Sequence, residues 1–162
     1  MTGPVTLRAV SVGEVRALLA GGAVPGRRFH PDYPLPDSFD AMAMVVAAHE
    51  AVTGTRLVRR PAWWIHQIVL DDVVVGDIGF HGPPAAEPPY VVEIGYVVVP
   101  GLRGRGVATQ ACAALLRLAW RGRADVVRTE TEPGNVASER VLTKNGFARR
   151  AEGGWSVSRV AA

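Results

Sequence analysis

Hydrophobic positions change their spacing several times along the 162-residue chain, and each change marks an element. Val5 to Val10 reads as a first strand. Ser11, with Glu14 three residues on, forms a capping box. The helix it opens turns Val12, Val15, Leu18 and Leu19 inward and stops at Gly21-Gly22. Pro25, Gly26, Pro31, Pro34 and Pro36 are too many breakers for regular structure between residues 25 and 36. Asp37 is then expected to cap a second helix, with Asp40 at its third position. Phe39, Met42 and Val46 recur at helical spacing as far as about Val52.

Trp63 to Leu70 and Val73 to His81 are runs rich in aromatic and β-branched residues, and Asp71-Asp72 between them predicts a tight hairpin. Gly76 and Gly79 in the return strand predict a bulge or a close backbone approach. Gly82 to Pro89 is a proline-rich loop. Tyr90 to Val99 is the most hydrophobic strand, interrupted only by Glu93 and Gly95. A Gly-rich turn then leads into a helix running to residue 121, with Val107, Ala111, Cys112, Leu115, Leu118 and Ala119 as one apolar stripe. Asp125 to Thr131 is a strand, Val136 to Lys144 a short helix closed by Asn145-Gly146, and Phe147 to Val160 one or two last strands. The order β-α-α-β-β-β-α-β-α-β gives an α/β class and one domain over residues 1–162, with an antiparallel hairpin before a βαβαβ half that supplies parallel pairing.

Composition narrows the function classes. A hydrophobic fraction of 48% excludes a mainly disordered chain. No apolar run approaches the ~20 residues of a membrane helix. Met1 to Val5 lacks the basic patch and apolar stretch of a secretory signal, so the cytoplasm is the expected compartment. The single cysteine, Cys112, excludes an internal disulfide and a cysteine-based zinc site, and no histidine pair has metal spacing. Basic residues exceed acidic ones 18 to 15, a net charge of +3. All but Lys144 are arginines, a bias that a GC-rich genome explains equally well. They form no tract that would favour nucleic acid, yet a small polyanion fits them.

Three places hold candidate chemistry. Arg103-Gly104-Arg105-Gly106-Val107-Ala108 follows a strand and opens a helix. Free N–H groups and the positive end of the helix dipole there suit a pyrophosphate, and a plain Gly/Arg turn is the alternative. The run lacks the Gly-Lys-Ser/Thr of a P-loop and the spacing of a dinucleotide fingerprint. Glu93, in an apolar strand, is either a general base raised toward neutrality by burial or an edge carboxylate paired with arginine. Asn135 and Ser138 fit the capping of a helix, which by itself needs no function.

Together these runs resemble the GNAT superfamily of N-acetyltransferases, most of all its RimJ/RimL-type branch of ribosomal-protein acetyltransferases. The resemblance rests on Gly76 to Phe80, Val92 to Tyr96, Pro100 to Ala111 and Asn135 to Phe147, in that order, and spans roughly residues 63 to 150. It implies a mixed, twisted sheet of six or seven strands in which Tyr90–Val99 and Asp125–Thr131 splay apart to admit acetyl-CoA. The pantetheine would pair with Val97, Val98 and Val99. The pyrophosphate would lie on Arg103, Gly104, Arg105, Gly106, Val107 and Ala108, with Thr109 beside them. Asn135 and Ser138 would line the thioester side. A primary amine, on a protein N-terminus or a small molecule, would attack directly, with Glu93 as base and the Val98 N–H holding the carbonyl oxygen.

Leu142 stands where many members carry a tyrosine that acts as acid to the leaving thiolate, which leaves Ser138 as the candidate proton donor. Phe29 and Tyr33, in the region that sets specificity, are candidate walls for the acceptor, and Asp32, Asp37 or Asp40 candidate ammonium partners. His66 and His81 read as structural histidines near the cleft. The family implies a monomer or homodimer without metal, nucleic acid or membrane. The alternative reading is a catalytically silent GNAT-fold module that senses acyl-CoA.

Overall fold

The computed structural model describes residues 3–51 and 63–159. Its elements are β1 (Val5–Ala9), α1 (Val12–Leu19), β2 (Arg28–Phe29), α2 (Pro36–Ala51), β3 (Ile65–Leu70), β4 (Val73–Phe80), β5 (Val91–Val98), α3 (Val107–Arg121), β6 (Val126–Thr129), α4 (Val136–Lys144), β7 (Ala148–Arg149) and β8 (Trp155–Ser158). Seven strands lie in the order β1-β3-β4-β5-β6-β8-β7, and β2 pairs with β4 off this path. The sheet is antiparallel except for β2 with β4 and β5 with β6.

Local chemistry explains most boundaries. The Ser11–Glu14 capping box is present in both directions. Asp71 and Asp72 both take positive φ, 49° and 61°, which matches the twist a two-residue hairpin needs. Gly146, at φ 80°, closes α4; its N–H bonds to the Thr143 carbonyl, and the N–H of Phe147 reaches that of Leu142. This double bond is the Schellman motif, and Phe147 and Leu142 are both buried behind it.

Two expectations change. The second helix begins at Pro36, so Asp37 lies inside its first turn. Proline has no N–H to lose there, and the Ser38 hydroxyl accepts from the Leu35 N–H instead. Residues 28 and 29, expected to be irregular, join the sheet against Val73 and Val74. The register of β3 on β4 shifts between Ile68 and Val69, opposite Gly76. At Gly79 a Cβ would come within 2.7 Å of the Trp64 carbonyl oxygen, so the strands approach where a side chain would not fit.

Helix α2 lies over the sheet face that carries Gln67 and Asp77, and α3 packs against β1, β4 and β5. The α3 stripe is buried through Val107, Ala111, Cys112, Leu115 and Ala119. Burial pushes the Cys112 thiol up to about 12, which makes it a core residue. Trp63 is buried edge-on against Phe80, and Trp64 is only partly buried. His66 is also buried; desolvation lowers its pKa, and its Nδ1 lies 3.2 Å from the Trp64 carbonyl. Among the described residues no helix is long and apolar enough to cross a membrane, and no three His, Cys, Asp or Glu cluster as metal ligands do.

Candidate active site

Strands β5 and β6 pair for only three positions, Val91↔Val126, Val92↔Val127 and Glu93↔Arg128. They then part. The Thr129 hydroxyl donates to the Ile94 carbonyl at 2.8 Å, which satisfies the last acceptor before the gap. On the other edge of β5, the His81 N–H bonds to the Glu93 carbonyl and the Val99 N–H to the Val75 carbonyl. Backbone groups alternate along a strand, so odd-numbered residues face β4, and Tyr96 and Val98 face the gap. Of the three valines expected to pair with pantetheine, only Val98 turns its amide groups to the gap, and its carbonyl is taken by Arg103, so its N–H alone is open there. Val97 and Val99 are committed to β4.

The loop after β5 leaves backbone donors open, the geometry that suits an anion. A short 3-10 turn (Pro100–Leu102) leads to Gly104 and Gly106, both left-handed at φ 74° and 80°. Gly106 caps α3 without a side chain, and the first helical bond runs from the Gln110 N–H to the Gly106 carbonyl. The N–H groups of Val107, Ala108 and Thr109 therefore have no partner in the helix. No acidic residue occupies this first turn. A cavity of about 500 Å³ opens here, lined by Val98, Arg103, Gly104, Gly106, Thr109 and Ser138 among others. Arg105 is exposed outside that lining. Arg103 is tied to its own strand, its Nε donating to the Val98 carbonyl at 2.9 Å. Arg140 and Lys144 bring two more cations from α4. Sequence reasoning passed over them, although four-residue spacing sets them on one helix face.

Asn135 caps α4, its Oδ1 accepting from the Ser138 N–H at 3.1 Å. Both residues line the loop cavity and a second one of about 450 Å³, between the end of β6 and α4. Leu142 lies at the back of the second cavity and is buried. Tyr96 borders both, and its hydroxyl donates to the Ser138 carbonyl at 3.5 Å. Burial raises its pKa above the ordinary phenol value. In the sequence Tyr96 carries only the family resemblance and no chemical signal of its own.

A third chamber, of about 590 Å³, lies under α2, with Gly79 and Gly95 paired side by side in its floor. Met44, Trp64 and Phe80 give it apolar walls, and Asp37 and Asp40 line it from α2. It meets the loop cavity at Asp37, Tyr96 and Val97. Asp77 also lines it. Burial pushes the Asp77 carboxyl up to about 6, against the opposing pull of the Ser38 and Tyr33 hydroxyls.

Phe29 and Tyr33 stand outside this lining. They stack on each other at 5.5 Å, and the Tyr33 hydroxyl donates to Asp77 Oδ1 at 2.8 Å, so both serve the packing beneath the chamber. Glu93 also stands apart. Its side chain is half exposed, on the sheet face shared with Gly95 and Val97, rather than held among apolar neighbours. Its carboxylate meets the His81 ring, and His81 lines the chamber.

The acetyltransferase (GNAT) domain model matches residues 5–148. The chain belongs to the GNAT acetyltransferase family. No curated protein matches it. Solved structures share the GNAT fold at low identity. Mycobacterium smegmatis RimJ in complex with CoA-disulfide aligns with a TM-score of 0.66 and 19% identity, over 97% of this chain and 83% of that one. Aminoglycoside acetyltransferase AAC(6')-Ib, bound to ribostamycin and coenzyme A, gives 0.62 and 16%, over 96% and 94%. A GNAT-family acetyltransferase from Bacillus anthracis gives 0.56 and 15%, over 98% and 96%. The parted strands β5 and β6 and the glycine loop after β5 are this GNAT chain's counterparts of the motifs singled out in the sequence.

Proposed function

We propose that this protein transfers the acetyl group of acetyl-CoA directly to a primary amine, on a protein N-terminus or a small molecule, in the cytoplasm. One observation carries the reading. A strand edge with free amide groups at Tyr96 and a free N–H at Val98 runs straight into a helix start whose first N–H groups have no partner in the helix, and an anion-bearing thioester carrier needs both.

The chain's residues then divide the work. The amides of residues 104 to 109, with Arg103, Arg140 and Lys144, neutralise the diphosphate. Tyr96 offers its amide groups to the pantetheine as an added strand would. The Val98 N–H holds the carbonyl oxygen as charge develops there. Ser138 and Tyr96 bring hydroxyls to the sulfur side. Asp37 and Asp40 draw a cationic acceptor into the chamber. The solved aminoglycoside acetyltransferase AAC(6')-Ib is in complex with ribostamycin and coenzyme A, which supports an amine as acceptor here.

The test is calorimetric titration with acetyl-CoA, followed by a thiol-release assay across amines: N-terminal peptides, polyamines, aminoglycosides and arylalkylamines. One-to-one binding and thiol release with at least one amine are expected. Binding without release by any acceptor supports the silent acyl-CoA module instead, and no binding at millimolar acetyl-CoA overturns both.

A further inference from the structure

The wedge and the loop leave one titratable pair on the chamber without a role. His81 Nδ1 lies 3.3 Å from Glu93 Oε1. The backbone fixes the pair, since the His81 N–H donates to the Glu93 carbonyl at 2.9 Å. The other ring nitrogen, Nε2, is turned back over the strand. It lies 3.1 Å from where a Cβ on Gly95 would stand, so the ring uses the space that the missing side chain leaves. Gly95 and Tyr96 line both the acceptor chamber and the cavity beside Ser138. Nε2 therefore sits next to the passage that an acceptor nitrogen must take from the chamber to Tyr96 and Val98.

We propose that His81 is the catalytic base that takes the proton from the acceptor ammonium, and that Glu93 is the positioning residue that orients its ring. The inference rests on the acetyltransferase reading above. The Glu93 carboxylate lies at ion-pair distance from Nδ1, and a carboxylate there favours the tautomer that keeps the proton on Nδ1 and the lone pair on Nε2. The ammonium N–H bond breaks and its proton moves to Nε2. The freed lone pair forms the N–C bond to the thioester carbonyl carbon, and the C–S bond breaks with its electron pair on sulfur. A second proton leaves the nitrogen for that sulfur, and the imidazolium returns the first to solvent.

Other charges face the pair. Asp37 and Asp40 look into the chamber from α2, and Asp77 does so from β4. Arg128 stands beside Glu93 in the register of β6. The carboxylates favour the ammonium on arrival and the imidazolium after transfer, so a group that accepts a proton at the passage is needed for turnover. An ion pair with only a surface role would not need Nε2 over a bare glycine.

The test compares wild type, His81→Gln and Glu93→Gln with the best acceptor of the amine panel. Three readouts are taken: kcat/KM against pH, acetyl-CoA affinity by calorimetry, and thermal unfolding. His81→Gln is expected to lose about 100-fold or more in kcat, the usual scale of a positioned base. Its acetyl-CoA affinity should stay within about twofold, since no cofactor contact is removed. The acid limb of the wild-type profile should vanish. Glu93→Gln should lose less rate and displace that limb. An arylamine, neutral at pH 7 and in no need of a base, should show a much smaller His81→Gln defect. A His81→Gln protein that keeps both the rate and the acid limb overturns the inference while the acetyltransferase reading stands. A wild type that turns over no amine is a failure of that reading itself. Should His81→Gln not fold, an unmoved limb in Glu93→Gln overturns the pairing.

Discussion

The Thr129 hydroxyl donates to the Ile94 carbonyl at 2.8 Å, at the first position where β5 and β6 no longer pair. Two neighbouring parallel strands parting inside a sheet would leave a buried acceptor without a partner. Thr129 is itself buried, so water does not substitute for its hydroxyl. Thr129→Val keeps the shape and removes the donor. It is expected to cost about 1–3 kcal/mol, the penalty of a buried acceptor left unsatisfied. In a domain of this size that is a fall of roughly 2–12 °C in Tm, read by differential scanning calorimetry. An unchanged Tm would show that the opening is held by other contacts.

Gly106 caps α3 at φ 80°, where a side chain is strained even though the space around it is open. Gly106→Trp places bulk over the free N–H groups. Acetyl-CoA affinity is expected to fall at least about tenfold, or 1.4 kcal/mol, by calorimetry. The loss should appear in binding and remain when the acceptor is saturating.

Asn135 separates capping from cofactor contact. Asn135→Ala removes the bond to the Ser138 N–H and should cost about 1 kcal/mol of stability. Asn135→Asp keeps an acceptor at the cap, and its charge suits a helix N-terminus. It also places a negative charge beside the loop cavity. Stability close to wild type with weaker acetyl-CoA binding is the expected pair of results, and equal affinity in the two proteins would place Asn135 away from the cofactor.

Asp77 gives a pH dependence with a definite sign. Its folded pKa, pushed up to about 6, lies above the ordinary value of 3.8. Between those values the native state holds a proton that the unfolded chain has released, so stability falls as pH rises through this window. Above about pH 6 the ionised carboxylate is a standing cost. Asp77→Asn can still accept from Tyr33. Its Tm advantage over wild type should be small near pH 4, grow toward pH 6 and then level off, as a series of melts would show. An advantage that shrinks with rising pH would contradict the raised value.

Much of this was legible in the chain because the causes are local. Ser11 and Glu14 sit three residues apart and cap each other, and Asn145-Gly146 announces a left-handed stop. The glycine loop was readable for the same reason, since Gly104 and Gly106 act through their own φ angles. Where the cause is distant, the sequence was silent. Tyr33 and Asp77 are 44 positions apart, and nothing in either neighbourhood says that their side chains bond. Arg28 and Phe29 become a strand only because β4 passes beside them. His81 gained its place from Glu93 and Gly95 across a proline-rich loop, so no periodicity marked it as more than a lone histidine. Pro36 displaced Asp37 as the start of a helix because two plausible starts stood side by side and backbone chemistry chose between them.

The bond from Arg103 Nε to the Val98 carbonyl has a wider consequence. It clasps the loop that would take one end of the carrier to the strand that would hold the other. With the carrier held at those two places, the span between them would be set before it arrives, and the protein would act as a gauge of length. A carrier with a shortened arm would anchor its diphosphate and leave its thioester short of the neck at Tyr96 and Val97. One without the diphosphate would reach the neck with nothing to stop it sliding.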